Sequence, residues 1–168
     1  MSTDRVVPRS LGLLLIAAIL LSFAPLIAVP QVQAVTVIID GVTGFTGGLN
    51  VGESDGATFR QNTISGNSAE QGGGLYLAAG AQAWVRNGSW LRENGAYGPT
   101  AGAGGGAHLT GSSTLHADST WFYQNWSDPN GAGIYADLGS TVQVYNSLFY
   151  DNLGGDSGGA IYNNGGTV

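Results

Sequence analysis

The sequence predicts an all-β fold: a right-handed parallel β-helix, a single-stranded solenoid of about 4–5 coils of ~27 residues. Three observations predict it. A glycine-led landmark recurs: Gly72-Gly73-Gly74-Leu75, Gly104-Gly105-Gly106-Ala107, Gly131-Ala132-Gly133-Ile134 and Gly158-Gly159-Ala160-Ile161, at offsets of 32, 27 and 27 residues. A second landmark, an apolar residue followed three positions later by asparagine, recurs at Asn67, Asn94, Asn125 and Asn152, at offsets of 27, 31 and 27. Between landmarks, apolar and other residues alternate with period two, the signature of strand.

Each coil follows from that alternation. In the first strand Leu75, Ala107, Ile134 and Ile161 face one way, and Tyr76, His108, Tyr135 and Tyr162 face the other. A middle strand runs near Trp84-Val85, Thr114-Leu115-His116 and Thr141-Val142-Gln143-Val144. A third ends in the asparagine landmark. Small and polar residues such as Gly80, Gly88, Gly139 and Asn146 mark the turns. One such coil cannot bury its apolar face alone; stacked coils bury it against each other. The four asparagines then form a ladder at one corner, where Asn tolerates a left-handed backbone and its amide bonds the next rung. The longer second spacing places an extended loop between Asn94 and Ala103, against short links after the other asparagines.

The first 34 residues differ from the rest. Arg5 and Arg9 precede an apolar run over residues 11–21. Pro25 and Pro30 interrupt the apolar stretch, and Val32-Gln33-Ala34 offers a cleavage site. This is the three-part pattern of a secretory signal peptide. The alternative is a permanent anchor, since residues 11–29 are long enough to span a bilayer. The expected layout is residues 1–34 as signal, 35–56 as an N-terminal first coil or cap, and 57–168 as β-helix repeats. Residues 35–39 suit a strand and 41–56 a loop-rich first coil. Residues 161–168 enter a new coil and stop, so the repeat reads as truncated at the C-terminus, with an uncapped edge open to self-association or to a capping partner. Secreted or cell-surface localisation follows, with membrane contact only through the signal segment.

Composition narrows the function classes. The chain has a net charge of -6 and no lysine, which disfavours nucleic acid. Cysteine is absent, so no disulfide or thiolate metal site supports the fold. Four Trp, seven Tyr and five Phe supply a core that a disordered glycine-rich chain lacks.

The repeat Gly158-Gly159-Ala160-Ile161, with Phe122-x-x-Asn125 and Phe149-x-x-Asn152, resembles the GGA[ILV]/FxxN repeat of the chlamydial polymorphic outer-membrane proteins, over about residues 57–168. The resemblance implies a β-helix in a surface adhesin or autotransporter passenger, with a glycan or a host or cell-surface protein as partner. The chain departs from autotransporters in having no membrane β-barrel after the repeats. The same fold also carries polysaccharide lyases and hydrolases, so the fold alone assigns no chemistry.

Catalytic chemistry of that kind needs a base beside carboxylates, or two carboxylates about 5–10 Å apart. Beyond the leader the only basic residues besides histidine are Arg60, Arg86 and Arg92. The nearest approach to a cluster is Arg92 and Glu93 with Asp151. Glu93, Gln124 and Asp151 share one column, which puts Glu93 and Asp151 roughly 9–10 Å apart at one strand spacing per coil. The intervening Gln124 weakens the case. His108 and His116 read as exposed strand residues, lack metal-ligand spacing, and imply no cofactor and no metal site. The more promising feature is aromatic. Tyr76, His108, Tyr135 and Tyr162 form one expected outward column. Trp90, Trp121 and Leu148 form a second, flanked by Tyr123 and Tyr150. Such rows can stack on sugar rings or bury against a protein, or they can simply stack along the solenoid. The expected function is a non-catalytic exported β-helix module in surface adhesion, structure or glycan binding. The alternative is a polysaccharide lyase or glycoside hydrolase of the pectate-lyase-like type, or an inactive fragment of one.

Overall fold

A computed structural model describes residues 38–40, 43–46, 48–52, 56–97 and 103–168. The segment expected to be a signal, residues 1–34, lies outside the described residues. Every strand pairing among the described residues is parallel, and each joins one coil to the next.

The chain visits three sheets in turn. The first holds Leu49–Gly52, Leu75–Ala78, Ala107–Leu109, Ile134–Ala136 and Ile161–Asn163. Its register follows the glycine landmarks: Leu75, Ala107, Ile134 and Ile161 lie in one row, and Tyr76, His108, Tyr135 and Tyr162 in the next. The second and largest sheet holds Ile38–Asp40, Ala57–Arg60, Thr63–Ser65, Gln82–Arg92, Thr114–Tyr123, Thr141–Tyr145 and Leu148–Tyr150. The expected middle and third strands fuse here into single strands of 11 and 10 residues in two coils, Gln82–Arg92 and Thr114–Tyr123. The third sheet holds Thr43–Thr46, Ser68–Gln71, Gly95–Tyr97, Trp126–Asp128 and Leu153–Gly154.

That third sheet corrects the expectation of mere links after the asparagines. Its strands are two to four residues long and carry no run of β-branched residues. They are extended because the coil above and below hold them, not because of intrinsic preference. The N-terminal part is also more regular than the loop-rich coil expected over 41–56: Leu49–Gly52 pairs with Leu75–Ala78 in full register.

Corners carry left-handed residues in columns. Gly72, Gly104, Gly131 and Gly158 have φ of +60 to +70°. At Gly131 a Cβ would also meet the Ile134 carbonyl at 2.8 Å, so glycine is required there on two grounds. A second column is Gly66, Glu93, Gln124 and Asp151, with φ of +64, +56, +49 and +54°. The left-handed residue therefore precedes each ladder asparagine and is not the asparagine itself. The asparagine needs an ordinary backbone so that its side chain can turn inward.

The core is a set of continuous columns. Leu75, Leu77, Leu91, Leu109, Leu115, Phe122 and Ile134 are fully buried. Phe122 stacks on Phe149 of the next coil with ring centroids 4.5 Å apart and planes within 2°. Beside this column runs the asparagine ladder. Nδ2 of Asn67, Asn94 and Asn125 donates to Oδ1 of the following asparagine at 3.0, 3.0 and 2.9 Å. The same Oδ1 atoms accept the backbone N–H of the preceding asparagine at 3.1–3.2 Å. The second Nδ2 hydrogen of Asn94 and of Asn125 goes back to the carbonyls of Ile64 and Leu91. Asn94 and Asn125 thus satisfy both donors and both acceptor positions in a fully buried site, which is the condition for burying an amide at all.

Candidate functional site

The outer face of the second sheet carries the candidate site. Along Ser89–Arg92, Thr120–Tyr123 and Leu148–Tyr150, odd and even positions alternate between core and solvent, as the pleat demands. Leu91, Phe122 and Phe149 turn inward. Trp90, Trp121 and Leu148 line up outward, with Arg92, Tyr123 and Tyr150 in the parallel row. The indoles of Trp90 and Trp121 stack at 4.4 Å, and Tyr123 stacks on Tyr150 at 5.5 Å with planes within 3°.

Between these rows lies an apolar groove of about 260 Å³, lined by Trp90, Trp121, Phe122, Tyr123, Leu148 and Tyr150. Trp121 is 42% exposed, Leu148 46% and Tyr150 57%. Three large side chains this exposed on adjacent coils form a patch, not scattered surface residues. A further stacked pair, Trp84 on His116 at 5.1 Å and 3°, sits on the same sheet. Sequence reasoning missed it as part of this face, although both residues lie in the middle-strand register. It also missed Tyr97 stacked on Trp126 at 5.8 Å, because the third sheet was not foreseen.

The Tyr76 column forms as a column but not as an open surface. Tyr76–His108, His108–Tyr135 and Tyr135–Tyr162 have ring centroids 5.3, 4.9 and 5.3 Å apart. The tyrosines are half-buried. His108, expected to be exposed, is 4% exposed. Tyr76 and Tyr135 cover its two faces, and Nδ1–H donates to the Ala103 carbonyl at 3.3 Å, which fixes the tautomer. Burial lowers its pKa to about 4, against weaker opposing effects of the Ala103 carbonyl and Asp137. His108 is therefore a neutral ring within a stack. Burial, with a contribution from Asp137, raises the Tyr135 hydroxyl, against a hydrogen bond from Asn164.

Arg92 and Glu93 form an ion pair at 3.7 Å, with both side chains about half exposed. Such a pair is screened by water and adds little. Glu93 and Asp151 stand exposed at their left-handed corner, two coils apart with Gln124 between. Among the described residues no group of three or more His, Asp or Glu side chains is placed to hold a metal ion.

A family model described as a right handed beta helix region matches residues 31–168. No curated protein and no solved structure matches the chain.

Proposed function

The chain belongs to the right-handed β-helix family, and from that scaffold we propose that it is a non-catalytic, exported binding module that holds glycan on the outer face of its second sheet. The observation that carries this reading is the groove between the Trp90–Trp121–Leu148 and Tyr123–Tyr150 rows. Rigid aromatic side chains on a sheet provide contact area with little rotamer freedom left to lose. Successive coils repeat that contact along the axis, which suits a polymeric or surface-displayed ligand. An adhesive role at the cell surface is also what the resemblance to the polymorphic outer-membrane repeat implies.

The lyase or hydrolase alternative finds less support. Its best residues, Arg92, Glu93 and Asp151, lie exposed beside the groove and lack the shielded site in which an acid or base is tuned.

The test is a glycan array probed with the purified chain. The reading expects binding that Trp121→Ala reduces strongly, while Tyr135→Ala, in the covered column, reduces it little. Incubation with pectin, uronate polymers and neutral polysaccharides, with calcium present, is expected to release no products. Turnover that Glu93→Gln or Arg92→Ala abolishes would overturn the proposal in favour of an enzyme.

A further inference from the structure

The groove exists because the aromatic column steps down. Trp90 covers one face of the Trp121 indole at 4.4 Å. The residue in register on the other side is Leu148, whose side chain is smaller and aliphatic. The neighbouring row does not step down, since Tyr123 continues onto Tyr150. The result is a ledge over Leu148, with Trp121 on one side and Tyr150 on another, all three lining the groove. The whole groove, at about 260 Å³, lies below the roughly 300–1,000 Å³ of sites for drug-sized ligands, so the ledge within it holds one ring and not a chain segment.

Resting on the glycan-binding reading, we propose that this ledge is a subsite for a single neutral pyranose ring, which takes the place in the stack that Leu148 leaves empty. The apolar C–H face of a pyranose complements the face of an indole. Its equatorial hydroxyls require donors and acceptors at the rim. Gln124 and Asp151 stand exposed at the corner beyond the tyrosine row. Beyond the other side, Asn146 donates to Asp118 at 3.3 Å, offering an amide and a carboxylate. Both flanks thus carry a carboxylate, and Arg92, which neighbours the groove-lining Tyr123, is paired with Glu93 at 3.7 Å. That charge arrangement disfavours a uronate or sulfated ring and suits an uncharged one.

Calorimetric titration with gluco-, manno- and xylo-oligosaccharides, and in parallel with oligogalacturonides, tests the proposal. The expected result is binding of a neutral series, with oligogalacturonides at least about tenfold weaker. Leu148→Trp fills the ledge and is expected to weaken binding by about tenfold or more, whereas Leu148→Ala stays within roughly threefold of the parent. In the unaltered protein the Trp121 indole N–H resonance is expected to move on saturation, and that of Trp126 on the third sheet to stay; this readout holds even if Leu148→Trp fails to fold. Neutral binding that a folded Leu148→Trp leaves intact, or that leaves the Trp121 resonance in place, overturns the ledge while keeping glycan binding. Tighter binding of oligogalacturonides overturns the neutral specificity. Binding to none of these sugars overturns the ledge, and silence across the whole glycan array overturns the broader reading with it.

Discussion

Single residues in this protein derive their weight from being repeated in register. The Asn94 side chain makes four hydrogen bonds in a fully buried site. Asn94→Ala removes the acceptor of the Asn67 backbone N–H and of one Asn67 amide hydrogen, each buried donor costing about 1–3 kcal/mol. Denaturant unfolding is expected to show a loss of roughly 3 kcal/mol or more, against a smaller loss for the half-exposed Asn152→Ala. His108 gives a pH signature. Its folded pKa of about 4 lies below the ordinary 6.5, so the unfolded chain binds the proton first as the solution is acidified. Stability from this group is complete above pH 6.5, falls as pH drops from 6.5 toward 4, and is reduced by about 3 kcal/mol below that. His108→Phe keeps a ring in the stack and is expected to flatten the stability profile across that window relative to the parent. A parallel profile for the two proteins would show that His108 is not the titrating group. The ladder positions were legible from asparagine spacing alone. The burial of His108 was not, since it depends on Ala103 folding back across a turn and on two neighbouring rings.

At the scale of the element, the corners divide into two kinds. Gly131 and Gln124 both have positive φ, yet their surroundings differ. A side chain at Gly131 runs into the Ile134 carbonyl and the Tyr135 Cβ, at 2.8 and 2.9 Å, whereas Gln124 projects into solvent. Gly131→Ala is therefore expected to destabilise by about 2–3 kcal/mol, combining left-handed strain with collision. Gln124→Gly removes strain but adds chain entropy, so it is expected to stay within about 1 kcal/mol of the parent. Thermal melts of the two variants check the contrast, and equal losses would refute it. The glycine corner was legible because glycine stands there in every coil. The asparagine corner misled, because Gly66, Glu93, Gln124 and Asp151 share a backbone conformation but no chemistry. The strands after the asparagines escaped notice because segments such as Gly95–Tyr97 and Leu153–Gly154 are extended only in the company of their neighbours.

Across the whole molecule, stability is a sum of coils and of the interfaces between them. The fold class was legible because two landmarks held one period, and the exception in that period marks where the chain accommodates extra length. Four more residues inserted between Tyr97 and Ala103, where the sequence period already carries four extra, are expected to shift the melting temperature by only a few degrees. The same insertion within Leu75–Ala78 is expected to abolish cooperative unfolding, because it displaces every later residue of that strand from its partners on the neighbouring coils. The groove was legible as a pair of columns, but its ledge was not, since it arises from the contrast between an indole and a leucine one coil apart. The closeness of the Trp90 and Trp121 rings has an optical consequence. Two chromophores held face to face at 4.4 Å share their excitation, so the pair imposes a bisignate band on the circular dichroism spectrum whose sign and size depend on the angle between them. That band reports on the seating of one coil upon the next without any added label. It vanishes in Trp90→Phe, and in the native chain it follows the coupling of these two coils through a melt, separately from the loss of strand elsewhere.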